Sequence, residues 1–307
     1  MIERVGETHF RQRYTLQTVH SGELFGHGLK RFHLENATTV IAAIKLGLRV
    51  TGLYGWGRRN GLNIRVVERD VVAPGLPRGF DGWRILHLSD LHLDVDPALT
   101  DTILQTIAPL QYDLAVITGD FRSLMRGPYE LAMVESARVI RALKAPAYGV
   151  LGNHDFIEFV PYLEASGLHV LLNEMARLER AGDEIFLSGV DDPHFYETDN
   201  LQRARSGIPR AGFSILLAHT PEIARTAAAA GFNVMFCGHT HAGQICLPGG
   251  IALLTNSHCE RKLIHGGWRC AQMLGYTSAG TGSSGVLARF FCPPEAVIHT
   301  LRRADAV

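Results

Sequence analysis

Residues 238–250 read "GHTHAGQICLPGG", which puts His239 and His241 two positions apart in a glycine-rich turn. The apolar run "FNVMFC" (232–237) precedes this turn and predicts a buried strand that ends there. Other apolar runs end in polar tips of the same kind: "SDLH" (89–92), "TGD" (118–120), "GNHD" (152–155) and "AHT" (218–220). Ligand sites in open α/β sheets form at the carboxyl ends of strands, so we expect these tips to converge on one site.

Strands alternate with helices along most of the chain. Strands are predicted at 63–72, 83–90, 112–120, 146–155, 184–192, 213–220 and 232–241, and helices at 97–110, 128–144 and 221–230. Further strands are predicted at 250–255, 271–282, 285–294 and 296–303. The alternation indicates a layered α/β domain over residues 61–307, preceded by an N-terminal appendage, residues 1–60, whose periodicity is weak.

The composition is that of a globular protein without a strong overall charge. Of 307 residues, 46% are hydrophobic and 20% charged, and Lys plus Arg equals Asp plus Glu at 30 each. This balance provides no global field that would attract nucleic acid. Five cysteines without a CxxC pair argue against a disulfide framework and favour thiols in a reducing compartment. The start, "MIERVGETHF", is too polar for a signal peptide, so a cytoplasmic location is expected.

The segment Ala37–Tyr54, "ATTVIAAIKLGLRVTGLY", is nearly apolar enough to span a membrane. Lys45 and Arg49 lie in its middle, and each costs roughly 2.5–3.5 kcal/mol at a bilayer centre, against about 0.3–0.6 kcal/mol returned by each Leu, Ile or Val. We therefore expect an amphipathic helix with a narrow polar stripe. Two placements stay open for residues 37–59: the helix packs on its own domain or on a second subunit, or it lies on a membrane surface.

The polar tips carry a mixed set of carboxylate, imidazole and amide groups. They are Asp90, His92, Asp120, Asn153, His154, Asp155, His219, His239 and His241. Such a set suits Mn, Fe or Zn better than Mg or Ca. Two such ions about 3.5–4 Å apart can hold a water as hydroxide and clamp a phosphoryl oxygen. Each tip alone is weak evidence for a metal site, since Asp120, for example, could be an ordinary turn residue. The prediction depends on the occurrence of all five tips in order. Other histidines, including His194 and His265, are interpreted as surface or core residues.

The series "SDLH", "TGD", "GNHD", "AHT" and "GHTH" resembles the motifs of the calcineurin-like metallophosphoesterase superfamily, over about Asn63 to Arg302. The resemblance implies a four-layer α/β/β/α sandwich in which two mixed sheets pack face to face. It also implies two divalent metal ions bridged by Asp120. The first ion's ligands would be Asp90, His92 and His241, and the second ion's Asn153, His219 and His239.

The resemblance further implies catalytic roles. His154 would be the general acid that protonates the leaving oxygen, and Asp155 would orient its imidazole. Many superfamily members have a second aspartate three residues after the first, where this chain has Ser123. The neighbouring Arg122 either faces the substrate phosphate or is a solvated arginine.

Longer stretches are similar to bacterial envelope-associated metallophosphoesterases, among them "GVDDP" (189–193) and "SAGTGSSGVLARFFCPPEAVIHTL" (278–301). Some of those enzymes act on cell-wall or lipid-linked phosphodiesters, and a UDP-2,3-diacylglucosamine pyrophosphatase activity occurs among relatives. Members often carry an N-terminal membrane segment, which the charged helix replaces here. This puts membrane residence in question and leaves peripheral contact through residues 37–59, on the inner face of the membrane, as an expectation.

The function expected is that of a dinuclear-metal phosphohydrolase. A phosphodiesterase or pyrophosphatase acting by metal-bound hydroxide on a lipid-linked or nucleotide-linked phosphate is favoured. The alternatives are an idle binding scaffold of the same fold, or a phosphomonoesterase or nuclease with the same core. An idle scaffold would be expected to lose ligands, yet every matched position holds the expected residue type. The neutral charge disfavours nucleic acid as a partner, an HxHxDH cluster of the metallo-β-lactamase type is absent, and an oligomer stays possible.

Overall fold

The computed structural model describes residues 1–19, 38–124, 127–252, 254–255 and 257–304. Its strands are β1 (Arg65–Ala73), β2 (Arg84–Leu88), β3 (Leu114–Thr118), β4 (Ala147–Val150), β5 (Leu168–Val170), β6 (Glu174–Arg180), β7 (Asp183–Gly189), β8 (Ser214–Leu217), β9 (Val234–Cys237), β10 (Cys246–Leu247), β11 (Ile251–Ala252), β12 (Gly266–Cys270), β13 (Met273–Thr277) and β14 (Glu295–Arg303). Its helices are α1 (Ile2–Val5), α2 (Glu7–Val19), α3 (Thr38–Val50), α4 (Tyr54–Gly61), α5 (Ala98–Ile107), α6 (Glu130–Arg141), α7 (Val160–Ala165), α8 (Leu201–Ala204) and α9 (Ala224–Ala229).

Two six-stranded mixed sheets form the centre of the domain. The first has the strand order β1-β14-β2-β3-β4-β5, in which only the β14–β2 pair is antiparallel. The second has the order β12-β13-β9-β8-β7-β6, and the outer pairs at both of its edges are antiparallel. Strands β10 and β11 form a separate two-stranded hairpin.

The sheets are stacked face to face, and helices cover their outer faces. Ile85 and Val116 of the first sheet pack in one cluster with Leu187 and Phe236 of the second. On the other side of the first sheet, a second cluster joins its strands to α5, α6 and α7, and a third joins the second sheet to α8 and α9. The central strands are therefore apolar on both faces, which is why they read as continuous hydrophobic runs. The predicted four-layer α/β/β/α sandwich is confirmed.

The helices over the first sheet follow the pattern of a one-sided apolar face. In α5, Leu99, Ile103 and Ile107 recur every four residues and are buried, while Asp101 lies in the first turn, where a carboxylate complements the helix dipole. Pro97 precedes the helix, and its fixed φ suits that position.

One predicted strand, 285–294, is wrong. In this segment the structure gives only an isolated bridge between Phe290 and Ile245. The backbone N–H groups bond elsewhere, since Arg289 donates to the carbonyl of Gly57 and Ala288 to that of Val286. The apolar side chains of the run pack against α3 and α4 instead of joining a sheet.

The described parts of residues 1–60 pack against the domain. Arg13 of α2 is fully buried, and its Nη1 lies 2.7 Å from Asp191 Oδ1. Gly57 of α4 lies so close to Phe290 that a Cβ there would approach its ring to 2.8 Å. In the part of the chain that the structure describes, no helix is long and apolar enough to cross a membrane. Ala37, the start of the predicted amphipathic segment, lies outside the described residues.

Candidate metal centre

The polar tips of five strands meet at one end of the two sheets. Asp90 and His92 follow β2, Asp120 follows β3, and the loop 152–155 follows β4, all in the first sheet. From the second sheet, His219 follows β8, and the turn with the two histidines follows β9. All of these side chains are buried. The convergence predicted from the strand ends is confirmed.

The first group of donor atoms comes from Asp90, His92 and His241. His92 Nε2 lies 3.1 Å from His241 Nε2, and His241 Nε2 lies 3.5 Å from Asp90 Oδ1. The Asp120 carboxylate is next to this group, with its Oδ2 3.6 Å from His92 Nε2.

The second group comes from Asn153, His219 and His239. The Asn153 amide oxygen lies 2.9 Å from His219 Nε2 and 3.1 Å from His239 Nδ1, and the two imidazole nitrogens are 3.2 Å apart. Asp120 Oδ2 is 3.4 Å from His219 Nε2. One carboxylate oxygen therefore lies between the two groups.

These separations fit a metal centre. Two donor atoms that each lie about 2.0–2.2 Å from one ion, at angles of about 90–109°, are about 2.8–3.6 Å apart. Clusters of Asp90 with His92 and His241, and of Asp90 with Asp120 and His219, have their donor atoms within 4.8 Å of one another. The mixture of imidazole and carboxylate groups suits a divalent transition metal. The division of these donors between two ions stays a prediction.

The backbone at the site is strained in a way that points to function. Asp90, His92, Asp120, His239 and His241 all have positive φ, between 44° and 73°. Non-glycine residues adopt this region at a cost, and such strain gathers at functional sites. The turns aim neighbouring side chains into one place, which a regular strand could not do.

Glycines allow the tips to approach each other closely. A Cβ at Gly238 would lie 1.9 Å from Ser89 Oγ, and one at Gly152 would lie 2.2 Å from Asp120 Oδ1. Any larger residue at either position would displace a side chain of the cluster.

Backbone carbonyls orient two of the imidazoles. His92 Nδ1 lies 2.8 Å from the carbonyl oxygen of Arg122, and His219 Nδ1 lies 2.8 Å from that of Thr118. When Nδ1–H donates to the carbonyl, Nε2 is left free to bind a metal ion.

The charges of the cluster favour a cation. Burial lowers the pKa of His219, but the neighbouring Asp120 and Asp90 carboxylates outweigh it and raise that pKa above the usual value. Burial raises the pKa of Asp120 and lowers that of His92 to about 3, so this imidazole is neutral at pH 7 and can act as a ligand.

The prediction that Asp155 orients the His154 imidazole is wrong. Its carboxylate does not orient the His154 imidazole but accepts three backbone N–H groups, from Asp120 at 2.8 Å, Phe121 at 2.9 Å and Gly152 at 2.8 Å. A buried carboxylate is best satisfied by such convergent donors. Asp155 thus holds together the two loops that carry Asp120 and Asn153.

His154 is oriented by a different group. Its Nδ1 lies 2.6 Å from the carbonyl oxygen of Ser123, and its Nε2 lies 3.8 Å from Asp120 Oδ2. The imidazole is buried beside the cluster, as a general acid would need to be, and its catalytic role stays a prediction.

Arg122 is not a solvated arginine. Its side chain is fully buried, with the guanidinium carbon 4.6 Å from the centre of the Phe156 ring. Of the two interpretations, solvent exposure is wrong, and contact with substrate phosphate has no support in this packing. Its carbonyl oxygen is the group that reaches the cluster.

Two residues near the site were not predicted from the sequence. Arg289 is fully buried and donates from Nη2 to the carbonyls of Ala279 and Gly282, which holds their loop against His241. Its position inside the apolar run "GVLARFF" is the signal that could have identified it. His194 is also buried, and its ring centroid lies 4.1 Å from that of His239.

A cavity of about 450 Å³ opens beside the cluster. Asp120, His154, His239 and His241 line one part of it. The remaining wall is mainly apolar and comes from α3 and from three loops: Ile41, Ile44, Leu48, Ile245, Leu254 and Val286. Helix α3 thus contributes to the wall of the cavity.

A buried Asp and His cluster at the strand ends of a four-layer sandwich defines the class of metal-dependent phosphoester hydrolases. The model of the calcineurin-like phosphoesterase family matches residues 84–243. The chain belongs to this family, and it is a metal-dependent phosphoester hydrolase.

Several relatives support this assignment. The chain is 30% identical over 274 residues to uncharacterized metallophosphoesterase YkuE of Bacillus subtilis (strain 168), covering 84% of this chain and 93% of that protein. It is 30% identical over 277 residues to uncharacterized metallophosphoesterase YkoQ of the same organism, covering 86% and 99%. It is 28% identical over 262 residues to a transmembrane protein with metallophosphoesterase domain of Danio rerio, covering 78% and 58%.

Proposed function

We propose that the chain hydrolyses a phosphodiester or pyrophosphate bond of an amphiphilic substrate, at a centre of two divalent transition-metal ions. The position of Asp120 is the observation that supports this most. Its Oδ2 lies 3.6 Å from His92 Nε2 of one donor group and 3.4 Å from His219 Nε2 of the other. An oxygen shared in this way is what a bridging ligand requires.

Side chains around the centre would hold its parts in position. Bound ions of this kind polarise a phosphoryl group and lower the pKa of a bound water. Asp155 keeps the bridging carboxylate in position through the N–H of Asp120, and Arg289 keeps the loop behind His241 in position.

His154 would move the proton to the leaving oxygen from Nε2, because Nδ1 is engaged with Ser123. Burial lowers its pKa well below the usual value, so the imidazole of the free protein is neutral. A phosphate anion in the cavity would favour the imidazolium and so prepare the acid.

The cavity supports an amphiphilic substrate. Its floor is the metal cluster, while Ile41, Leu48 and Val286 belong to an apolar wall. Pockets that combine an apolar lining with a few polar groups bind ligands of the same mixed character. A lipid-linked phosphodiester, or a nucleotide-linked one that carries acyl chains, has this character.

Reconstitution with Mn, Fe or Zn and assay against a substrate panel test the proposal. The panel contains bis-p-nitrophenyl phosphate, p-nitrophenyl phosphate, a cyclic nucleotide, and a nucleotide-sugar phosphodiester with short and with long acyl chains. We expect diesters to be hydrolysed faster than the monoester and the long-chain form to have the lowest KM. An equal KM for short and long chains would contradict the amphiphilic substrate.

A variant of the apolar wall sharpens this test. Leu48→Ala should lower kcat/KM for the long-chain substrate about tenfold, because the partly buried side chain loses contacts equivalent to about two buried methylenes at about 0.8 kcal/mol each. It should affect bis-p-nitrophenyl phosphate much less. Leu131→Ala, on the exposed face of α6 and away from the cavity lining, is the matched control.

A further inference from the structure

Helix α3 has two apolar faces, and the domain covers only one of them. Ile41, Ile44 and Leu48 line the cavity. At about 100° per residue, Leu46 and Val50 point to the opposite side, where they are 63% and 79% exposed. A helix that only closes a cavity needs one apolar face, and within the described part of the chain the second face is left exposed.

Further exposed apolar side chains lie on the segments that follow α3 and pack beside it. Leu53 lies between α3 and α4 and is exposed, as are Trp56 of α4 and Phe291. The ring centroids of Trp56 and Phe291 are 6.1 Å apart. We call Leu46, Val50, Leu53, Trp56 and Phe291 the exposed rim.

The exposed rim lies close to the mouth of the cavity. The turn of the β10–β11 hairpin places Gly250 beside the carbonyl oxygen of Phe291, and Leu247 and Ile251 of that hairpin are also exposed. Ile44 and Leu254, which line the cavity, are exposed as well. Apolar side chains therefore extend from the cavity to the outer surface.

Basic residues outnumber acidic ones around the rim. Residues 38–67 contain no Asp or Glu but five basic residues, Lys45, Arg49, Arg58, Arg59 and Arg65, and residues 223–259 and 261–294 contain no acidic residue either. Arg58 is paired with Asp96, with Nε 2.6 Å from Oδ2. Arg49 and Arg59 are exposed.

We propose that the exposed rim docks on the surface of an anionic lipid bilayer. Exposed aliphatic and aromatic side chains next to arginines are the combination that binds such a surface. A second copy is a poorer occupant, because a two-fold interface would bring surfaces of the same charge together. The docking rests on the proposed function in one respect only, namely that a lipid-linked substrate would pass from the bilayer into the cavity.

Co-sedimentation of the full chain with vesicles tests the docking, in the absence of any substrate. We expect binding to phosphatidylcholine vesicles that contain about one third phosphatidylglycerol, weak binding to pure phosphatidylcholine, and release at high salt. Arg49→Gln with Arg59→Gln should weaken binding about 30-fold, because each basic residue contributes about 1 kcal/mol. Leu46→Ser with Val50→Ser should weaken it at least about tenfold.

A matched control separates the rim from exposed apolar residues in general. Leu131→Ser with Val134→Ser changes two residues of α6 that are each 59% exposed, and it should bind vesicles like the unchanged chain. The rim variants should retain full turnover of bis-p-nitrophenyl phosphate, since none of their residues lines the cavity.

Three results would overturn the proposal: no binding to either vesicle, equal losses in the rim and control variants, or a dimer that Leu46→Ser with Val50→Ser converts to a monomer. Vesicle binding without any acyl-chain preference in hydrolysis would leave the docking intact and reject the amphiphilic substrate instead.

Discussion

Replacement of Asp155 by Asn tests the part of the site where the structure departs most from the sequence-based expectation. Asp155 Oδ2 accepts the N–H of Asp120 and of Gly152, each at 2.8 Å, and Oδ1 accepts that of Phe121 at 2.9 Å. An asparagine can offer only one acceptor oxygen. If that oxygen keeps the first two donors, the amide NH₂ faces the N–H of Phe121, and a buried donor is left without an acceptor.

The cost follows from these three bonds. One lost hydrogen bond to a carboxylate costs about 1.5–3 kcal/mol, and the other two weaken by about 0.5–1 kcal/mol each when the charge is removed. We therefore expect Asp155→Asn to lower the free energy of unfolding by about 2.5–5 kcal/mol. Because the same bonds hold Asp120 at a positive φ of 58°, metal content should fall as well.

Urea unfolding of the metal-free protein measures this effect as a lower midpoint at unchanged slope. Asp192→Asn is the matched control, because that carboxylate accepts the N–H of His194, Phe195 and Tyr196. It should cost a similar free energy of unfolding while metal content is largely retained. The reasoning would be refuted if Asp155→Asn unfolded at the normal midpoint, kept its metal and changed only the pH profile of turnover, since Asp155 would then act through the His154 imidazole.

Three further changes have defined outcomes. Asp120→Asn should abolish turnover and reduce the metal content measured by elemental analysis, and full activity with normal metal content would exclude a bridging role. His154→Gln should lower turnover roughly 10²–10⁴-fold at normal metal content, with a smaller loss on substrates that have good leaving groups; an equal loss on all substrates would indicate a structural role. Burial and the charge of Asp192 raise the pKa of Asp199 to about 6, so its contribution to stability is lost as the pH rises from about 4 to 6. Asp199→Asn should therefore raise the free energy of unfolding by about 1–2 kcal/mol at neutral pH, after allowance for partial exposure. At about pH 4 it should leave that free energy unchanged. A gain at both pH values would contradict the raised pKa of Asp199.

The alternation of strands and helices and their polar tips were sufficient to predict a layered α/β domain and the convergence of the polar groups, and the family resemblance carried by those tips implied the four-layer sandwich. His239 and His241 lie in the turn directly after β9, and Asp120 directly after β3, so their positions depend on local chain direction. The carboxyl ends of neighbouring parallel strands lie at one edge of a sheet. This is why residues far apart in the sequence could be placed together without a structure.

The partners of individual side chains could not be predicted in the same way. Asp155 is adjacent to His154 in the sequence, but its carboxylate accepts N–H groups of residues 120 and 121, which another strand brings within reach. The run 285–294 is apolar like a strand, yet its N–H groups bond to α4, to Gln244 and to its own segment. Burial of Arg122 and Arg289 likewise depends on which surfaces the folded chain places around them.

Helix α3 also combines features that the sequence predicts with features that only the tertiary structure determines. Its polar stripe at Lys45 and Arg49, and the lack of Asp and Glu over residues 38–67, can be read from the sequence. Only the tertiary structure assigns Ile41, Ile44 and Leu48 to the cavity beside the Asp and His cluster and leaves Leu46 and Val50 in solvent. Helical periodicity determines which residues share a face, but the packing of distant segments determines which of two apolar faces is covered.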